Sequence, residues 1–391
     1  MKALTWRLNN ISLFLKAGAT ALASRRHRKF SGIPRTVIIV QGAKMGDMVC
    51  TTPVFRATKE AYPSCRVVVV GDTVNEKLLE GHPHVDRYIV WQGSFSEMAT
   101  ILENEQADAG ILILPSLLGL ALLLEAKVPF IIAPRVLGGS SPYETRTYKL
   151  LTAFVTTAPH HFDAYAPREY LRLLEPLAIF TENTKKHLTY PKTSLESVRE
   201  KLAQKGIDFD RDLIAGIGPS VGGDRAKRWA PEKFATVAHG LIERGAKVVV
   251  IGSGRDKEDI EEMMNTLVHE PRAVNLLDAL TLAELKAFIS KLSLYISADT
   301  GPIYIAEAFD TPTIDIVGPV KEQVQPPRGA NHRIVMAARA SGVMGVLDNM
   351  PSDRRELRRQ SEEITPGMVL HEVDDLLSTL PLTTSLFPSL E

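Results

Sequence analysis

The stretch Thr36-Val37-Ile38-Ile39-Val40-Gln41-Gly42-Ala43-Lys44-Met45-Gly46-Asp47-Met48 decides the fold class. Thr36 to Val40 read as a buried strand, and a loop punctuated by glycine follows it. Thr52 is a natural N-cap with Pro53 at the first helical position, so a helix is expected from there. Val54, Ala57 and Ala61 give that helix an apolar stripe, and Tyr62-Pro63 stops it. A second strand, Arg66 to Val70, follows at once. Strand, helix and strand in so short a span imply a parallel sheet. No G-x-G-x-x-G is present, so the loop is not a dinucleotide fingerprint, and Asp72 is the one acidic residue ending the next strand. Asp47 stands at the carboxyl end of the first strand, where open α/β sheets place their ligands. Two readings are open for it. It caps the helix, or it accepts a proton from a hydroxyl nucleophile.

Working outward, Arg87 to Trp91, Ala109 to Leu114 and Phe130 to Ile132 read as further strands. After the loop Gly138-Gly139-Ser140-Ser141 come Tyr143 and Arg146. Arg146, His160, His161 and Arg168 form a basic cluster, which is either a solvated face or an anion site. Arg168 to Leu174 reads as a structural helix. The polar run Thr181 to Ser194, with Pro191, reads as a linker. It separates a first domain, 35–185, from a second, 195–345.

The second domain opens with the strand Leu213 to Ile217. Its loop carries Ser220, Gly222 and Gly223, then Lys227 and Arg228, then a helix opened by Pro231. Small residues, backbone N–H groups and a lysine suit a diphosphate cradle, and an ordinary surface loop is the alternative. There is no P-loop motif. After the strand Lys247 to Ile251, Asp256 either takes ribose hydroxyls or caps the helix from Lys257. Thr281 to Glu284 is a capping box. Leu294-Tyr295-Ile296 then leads into Asp299-Thr300-Gly301-Pro302, a strand-to-helix turn whose N–H groups and dipole favour phosphate. Asp299 there either caps the helix or holds a hydroxyl, an N–H or a neighbouring cation. Thr313 to Val317 is another buried strand. In the tail, 346–391, Thr365-Pro366 starts a helix expected to pack back across both domains.

Bulk properties exclude several classes. A chain of 391 residues is too long for one ordinary domain. Lys plus Arg and Asp plus Glu are 46 each, so no net field draws the molecule to nucleic acid. Cys50 and Cys65 alone make no disulfide framework, which points to a reducing, cytoplasmic setting. In residues 1–34, Trp6, Ile11, Leu13, Phe14 and Leu15 suit one face of an interfacial helix, with Arg25, Arg26, Arg28 and Lys29 at its basic end. Peripheral membrane contact is the expectation, and a helix packed on the body is the alternative. The apolar run Ile111 to Leu124 is too short to span a bilayer.

Three motifs carry a resemblance. Gly46-Asp47-Met48-Val49-Cys50-Thr51-Thr52-Pro53 is similar to the G-D-x-x-x-[TS]-x-P loop of the ADP-heptose:lipopolysaccharide heptosyltransferases, glycosyltransferase family nine. Lys227 to Ala235 resembles that family's K-R-W-P-x-E-x-F-A segment, with one extra residue. Ser297-Ala298-Asp299-Thr300-Gly301-Pro302 resembles its S-x-D-T-G-P/L turn. The resemblance spans about Arg35 to Val320 and implies the GT-B fold, an α/β architecture of two Rossmann-like parallel-sheet domains facing a central cleft. It implies an inverting sugar transfer from a nucleotide-sugar donor, ADP-heptose in the first instance, to a lipid-linked glycan acceptor.

By the same resemblance Asp47 is the general base. Lys227 neutralises the donor diphosphate with Ser220, Gly222, Gly223, Thr300 and Gly301. Asp256 binds the ribose, Leu280 lies against the base, and Asp299 holds the transferred sugar or orients the phosphate loop. Tyr143 and Arg146 match a Y-x-x-R that reaches the acceptor, and His161 and Arg168 join them. Gly222 and Gly223 stand where some relatives have a threonine pair. For the leaving diphosphate the motifs offer a helix dipole and Lys227 rather than a D-x-D metal site, so no cofactor and no essential metal are expected. The alternatives are a nucleotide-sugar epimerase of the same fold and a non-catalytic glycan-assembly protein.

Overall fold

The computed structural model describes residues 13–22, 29–219, 227–339 and 353–379. They form two compact units that divide between Lys185 and Lys186.

In the first unit, β1 (Thr36–Val40), β2 (Arg66–Gly71), β3 (Arg87–Val90), β4 (Ala109–Leu112), β5 (Phe130–Gly138) and β6 (Thr156–His161) make one sheet of order β3-β2-β1-β4-β5-β6. All its pairings are parallel, with Val40 beside Val70 on one flank and Leu112 on the other. Every residue of β1 and β4 is buried, as befits the centre of a parallel sheet.

The sequence misplaces the first helix. It runs Met45–Ala61, so Pro53 lies inside it and Asp47 lies in its first turn rather than in the loop before it. Proline has no N–H to give the carbonyl four residues back, which here belongs to Val49. The Thr52 hydroxyl donates to that carbonyl instead, at 2.8 Å. A threonine expected to start the helix therefore lets it continue.

Two more differences concern β5 and β6. The strand β5 continues through Ala133-Pro134-Arg135 to Gly138, and β6 holds Pro159. Proline is tolerated in β6 because that strand is the sheet's edge.

The helical residues 13–22 lie on this unit. Ala17 and Ala21 are buried in its core cluster, and Leu13 and Phe14 pack against it. Thr20 donates to Glu125 at 2.6 Å, and Lys16 pairs with the same carboxylate at 3.1 Å. Leu13 and Phe14, assigned to a membrane face above, are thus spent on packing, while Leu15 and Leu22 are exposed. Trp6, Ile11 and Arg25 to Arg28 lie outside the described residues.

The second unit repeats the plan. Its sheet, β12-β11-β10-β7-β8-β9, is built from β7 (Ile214–Gly218), β8 (Lys247–Gly252), β9 (Ala273–Leu277), β10 (Leu294–Ala298), β11 (Thr313–Ile316) and β12 (His332–Val335). In each sheet the first and fourth strands are central neighbours, and the chain changes direction of travel between them. That junction, just beyond the carboxyl ends of the two strands, is where doubly wound sheets hold ligands. The strands β9 and β12 were not foreseen. Both are edges and only partly buried, so they lack an apolar signature. The helix Pro366–Thr379 buries Val369, Val373 and Leu376 in the core that holds the helix Pro231–Glu243.

Candidate functional site

Asp47 reaches the junction of β1 and β4 from the third position of its helix, after an N-cap at Lys44 that makes no side-chain bond. Asp47 is therefore not the cap. Its carboxylate sits in the first turn, where the helix dipole favours negative charge. A fixed frame holds this turn. The Thr51 hydroxyl donates to the Asp47 carbonyl at 2.8 Å and receives Gln41 Nε2 at 3.0 Å. Gln41 Oε1 in turn accepts the Ala43 N–H at 3.1 Å. Asp47 keeps 7% of its surface exposed.

The structure adds a neighbour the sequence hid. Tyr170 stands on the helix Ala166–Arg172, which packs on the helix that carries Asp47. Burial, with the Asp47 charge beside it, pushes the Tyr170 phenol well above its ordinary range, so it is a neutral donor. His160 stacks on the Tyr170 ring at 5.9 Å and 7°, and Phe162 meets the His160 ring edge-on at 4.7 Å.

His160 drops out of the basic cluster read from the sequence. It is buried, and desolvation pulls its pKa down to about 4, so it is neutral. Its neighbours in that cluster are also engaged. His161 Nδ1 lies 3.0 Å from Glu169, which also takes Arg172 at 3.0 Å, and Arg168 pairs with Glu182. Tyr143 is exposed, and Arg146 is exposed at the start of its own helix.

The second unit's junction, of β7 and β10, gathers Lys227, Asp299, Thr300 and Gly301. Lys227 Nζ donates to Asp299 Oδ2 at 2.7 Å and lies 3.3 Å from the Asp299 carbonyl. Tyr304 donates its hydroxyl to Asp299 Oδ1. Asp299 is thus neither a cap nor free, because Thr300 is the N-cap of the helix Gly301–Ala308. The Thr300 hydroxyl is buried with no partner among the described residues. An unpaired hydroxyl at a helix N-terminus is a ready contact for an anion. Of the two adjacent cations, Arg228 serves structure, pairing with Asp259 at 2.9 Å and Glu262 at 3.2 Å. Trp229 does likewise, its Nε1 donating to the Ile364 carbonyl at 2.9 Å. Ser220, Gly222 and Gly223 lie outside the described residues.

Asp256 follows β8, and its Oδ2 closes a capping box, accepting the Ser253 N–H at 2.9 Å and hydroxyl at 2.8 Å. Leu280 is partly buried between β9 and the helix Leu282–Ile289.

Asp315 is the second residue the sequence reading missed. It is fully buried in β11, level with Ser297 of β10, and neither carboxyl oxygen has a partner among the described residues. Burial and then the Asp299 charge raise its pKa well above the carboxylate range. An acid inside the apolar run Thr313-Ile314-Asp315-Ile316 was the available signal. For Tyr304 the signal was its place one turn after Asp299. For Tyr170 there was none, since its helix reads as plain packing. No group of three or more His, Cys, Asp or Glu arranged for a metal is found among the described residues.

The profile of glycosyltransferase family 9 (heptosyltransferase) matches residues 98–343. Lipooligosaccharide heptosyltransferase 2 of Haemophilus influenzae is 27% identical over 358 residues, covering 88% of this chain and 99% of that protein. A glycosyl transferase family 9 structure from Veillonella parvula superposes with a TM-score of 0.71 at 19% identity, over 91% of this chain and all of that one. The structure of E. coli ADP-heptose LPS heptosyltransferase II gives 0.70 at 19% identity, over 87% and 98% of the two chains. Those two likenesses bear on the fold.

Proposed function

Because the chain belongs to glycosyltransferase family 9, and is a glycosyltransferase of GT-B fold, we propose that it transfers a heptosyl group from ADP-heptose to a lipopolysaccharide-core acceptor with inversion. The observation that carries the reading is the placement of polar groups at both strand junctions. One holds a carboxylate at a helix N-terminus. The other holds a lysine, a buried unpaired hydroxyl and a second helix N-terminus.

In this reading the acceptor oxygen attacks the anomeric carbon while the bond from that carbon to the diphosphate oxygen breaks. Asp47 takes the hydroxyl proton. The charge that develops on the leaving diphosphate is met by Lys227, the Thr300 hydroxyl and the N–H groups around Gly301. Tyr143 and Arg146, exposed on the first unit, are assigned to the acceptor, with His161 and Arg168. Asp256 and Leu280 are assigned to the nucleoside.

The test is transfer to heptose-acceptor lipopolysaccharide core from a panel of nucleotide sugars, read by mass spectrometry, with and without chelator. Transfer from ADP-heptose, unchanged to within about twofold in chelator, is expected of charge stabilisation by protein groups alone. A protein that accepts no donor on the panel, or that epimerises one, overturns the reading.

A lipid-linked acceptor places the reaction at the inner face of the cytoplasmic membrane. No helix among the described residues is long and apolar enough to cross a membrane. Peripheral contact is assigned to the N-terminal segment, whose residues 16–29 include Lys16 and Arg25, Arg26, Arg28 and Lys29. The full chain is expected to sediment with anionic vesicles, and a chain starting at Ser31 is expected to stay in the supernatant. Equal sedimentation of the two removes the N-terminus from the account.

A further inference from the structure

We propose that Tyr304 is a positioning residue for donor binding. Its hydroxyl holds one oxygen of Asp299, so that Lys227, held by the other oxygen, keeps charge for the diphosphate. The inference rests on the reading of Lys227 as the group that meets the donor diphosphate.

Three observations carry it. First, both oxygens of the buried Asp299 carboxylate are engaged, and by different donors. Oδ2 takes the Lys227 ammonium at 2.7 Å, and Oδ1 takes the Tyr304 hydroxyl. A tyrosine needed only for packing can give its hydroxyl to a backbone carbonyl, as Tyr148 does to Pro134 at 2.7 Å and Tyr62 does to Leu177 at 2.6 Å. Tyr304 instead gives its hydroxyl to a carboxylate that already holds a cation. Second, Tyr304 is itself fixed. It is buried, and the Lys186 ammonium stands 5.9 Å from the centre of its ring. Lys186 in turn pairs with Glu307, which lies one turn further along the helix that carries Tyr304. Glu307 also accepts the Arg328 backbone N–H at 3.3 Å. Third, Lys227 differs from Lys186 in its access to solvent. The Lys186 side chain is 1% exposed, which makes its pair structural, whereas Lys227 keeps 22% of its side chain exposed at the junction of β7 and β10.

The chemistry follows from the sharing of one carboxylate charge between two donors. An ammonium beside a full carboxylate charge has much of its field cancelled. A phenol that donates to the other oxygen draws part of that charge away while keeping the carboxylate ionised. Tyr304 thus lets Asp299 aim Lys227 without neutralising it. The same bond restricts rotation of the carboxylate, which keeps Oδ2 turned toward the lysine.

The experiment compares Tyr304→Phe, Lys227→Met and the double variant, with ADP and adenosine as ligands followed by calorimetry. ADP carries the diphosphate and adenosine does not. Tyr304→Phe is expected to weaken ADP binding about threefold to tenfold and to leave adenosine within about twofold, because only the grip on phosphate has changed. With ADP-heptose in the transfer assay, kcat/KM should fall by at least as much. In the Lys227→Met background the tyrosine change should alter ADP binding by less than about twofold. Fluorotyrosine at 304 keeps ring and hydroxyl and is a stronger donor, so ADP should bind about threefold tighter to it. It serves as the probe if Tyr304→Phe does not fold. ADP affinity unmoved in the variant that serves as the probe, or ADP and adenosine affinities moved together, overturns the role of Tyr304 alone. Lys227→Met that binds ADP as the parent does overturns the reading of Lys227, and the proposal with it.

Discussion

Asp47 and Asp299 occupy matching places in two sheets of the same strand order, and they are held in different ways. Each lies at the junction of a sheet's first and fourth strands, and Asp299 accepts a bond from the Tyr304 hydroxyl. Asp299 also takes the Lys227 ammonium at 2.7 Å. In the proposed reading the Lys227–Asp299 pair meets the donor diphosphate, and Asp47 takes the acceptor's proton. The two junctions therefore suit different tasks with the same residue type, because the neighbours set the chemistry. One suits proton transfer. The other suits gripping an anion, since a lysine held by a carboxylate is a cation aimed in advance.

The largest expected effect breaks the comparison on its first side. Asp47→Ala should lower turnover by about three orders of magnitude while ADP-heptose binding, followed by calorimetry, is kept. Loss of donor binding alongside turnover would instead make Asp47 part of the donor grip.

A smaller effect is expected on the other side. Lys227→Met should weaken donor binding about tenfold to a hundredfold by removing a charge-assisted contact. It should also destabilise the fold by about 2 kcal/mol, since Asp299 would keep its buried place without a cation. Donor affinity unchanged in this variant would mean that Lys227 is structural, like Arg228.

The smallest effect concerns the wall behind Tyr170. The folded-state pKa of His160, about 4, lies below its ordinary 6.5, so between these values the unfolded chain binds more protons. Stability should be whole above pH 6.5 and fall by about 2 kcal/mol by pH 5. Urea melts of His160→Gln should be flatter across that window. A parent protein whose own stability does not change there would show that His160 takes up its proton without unfolding cost.

Much of the plan is legible in the residues. Runs such as Thr36 to Val40 and Lys247 to Ile251 are buried central strands because an unbroken β-branched stretch has no other stable use. The turn at Asp299-Thr300-Gly301-Pro302 declares a helix start because Pro302 fits only the first turn. Edges declare less. Thr156 to His161, Ala273 to Leu277 and His332 to Val335 pair on one side only, so half their pattern is set by solvent. Pro53 misled because proline marks a helix start until something satisfies the carbonyl it strands, and Thr52 supplies that bond.

By itself, the sequence determined two parallel-sheet units, the loops that end their central strands, and the identities of Asp47, Lys227 and Asp299 as candidates. These follow from local preference and from motif, which are properties of neighbours along the chain. The tertiary structure alone decided what stands near each candidate. Tyr170 stands 123 positions after Asp47 in the numbering, and Lys227 stands 72 before Asp299, so neither approach has any local signal. It also decided that the Asp315 carboxyl has its pKa pushed up and that His160 is a neutral base, because desolvation is set by everything packed around a group and not by the residues beside it in sequence.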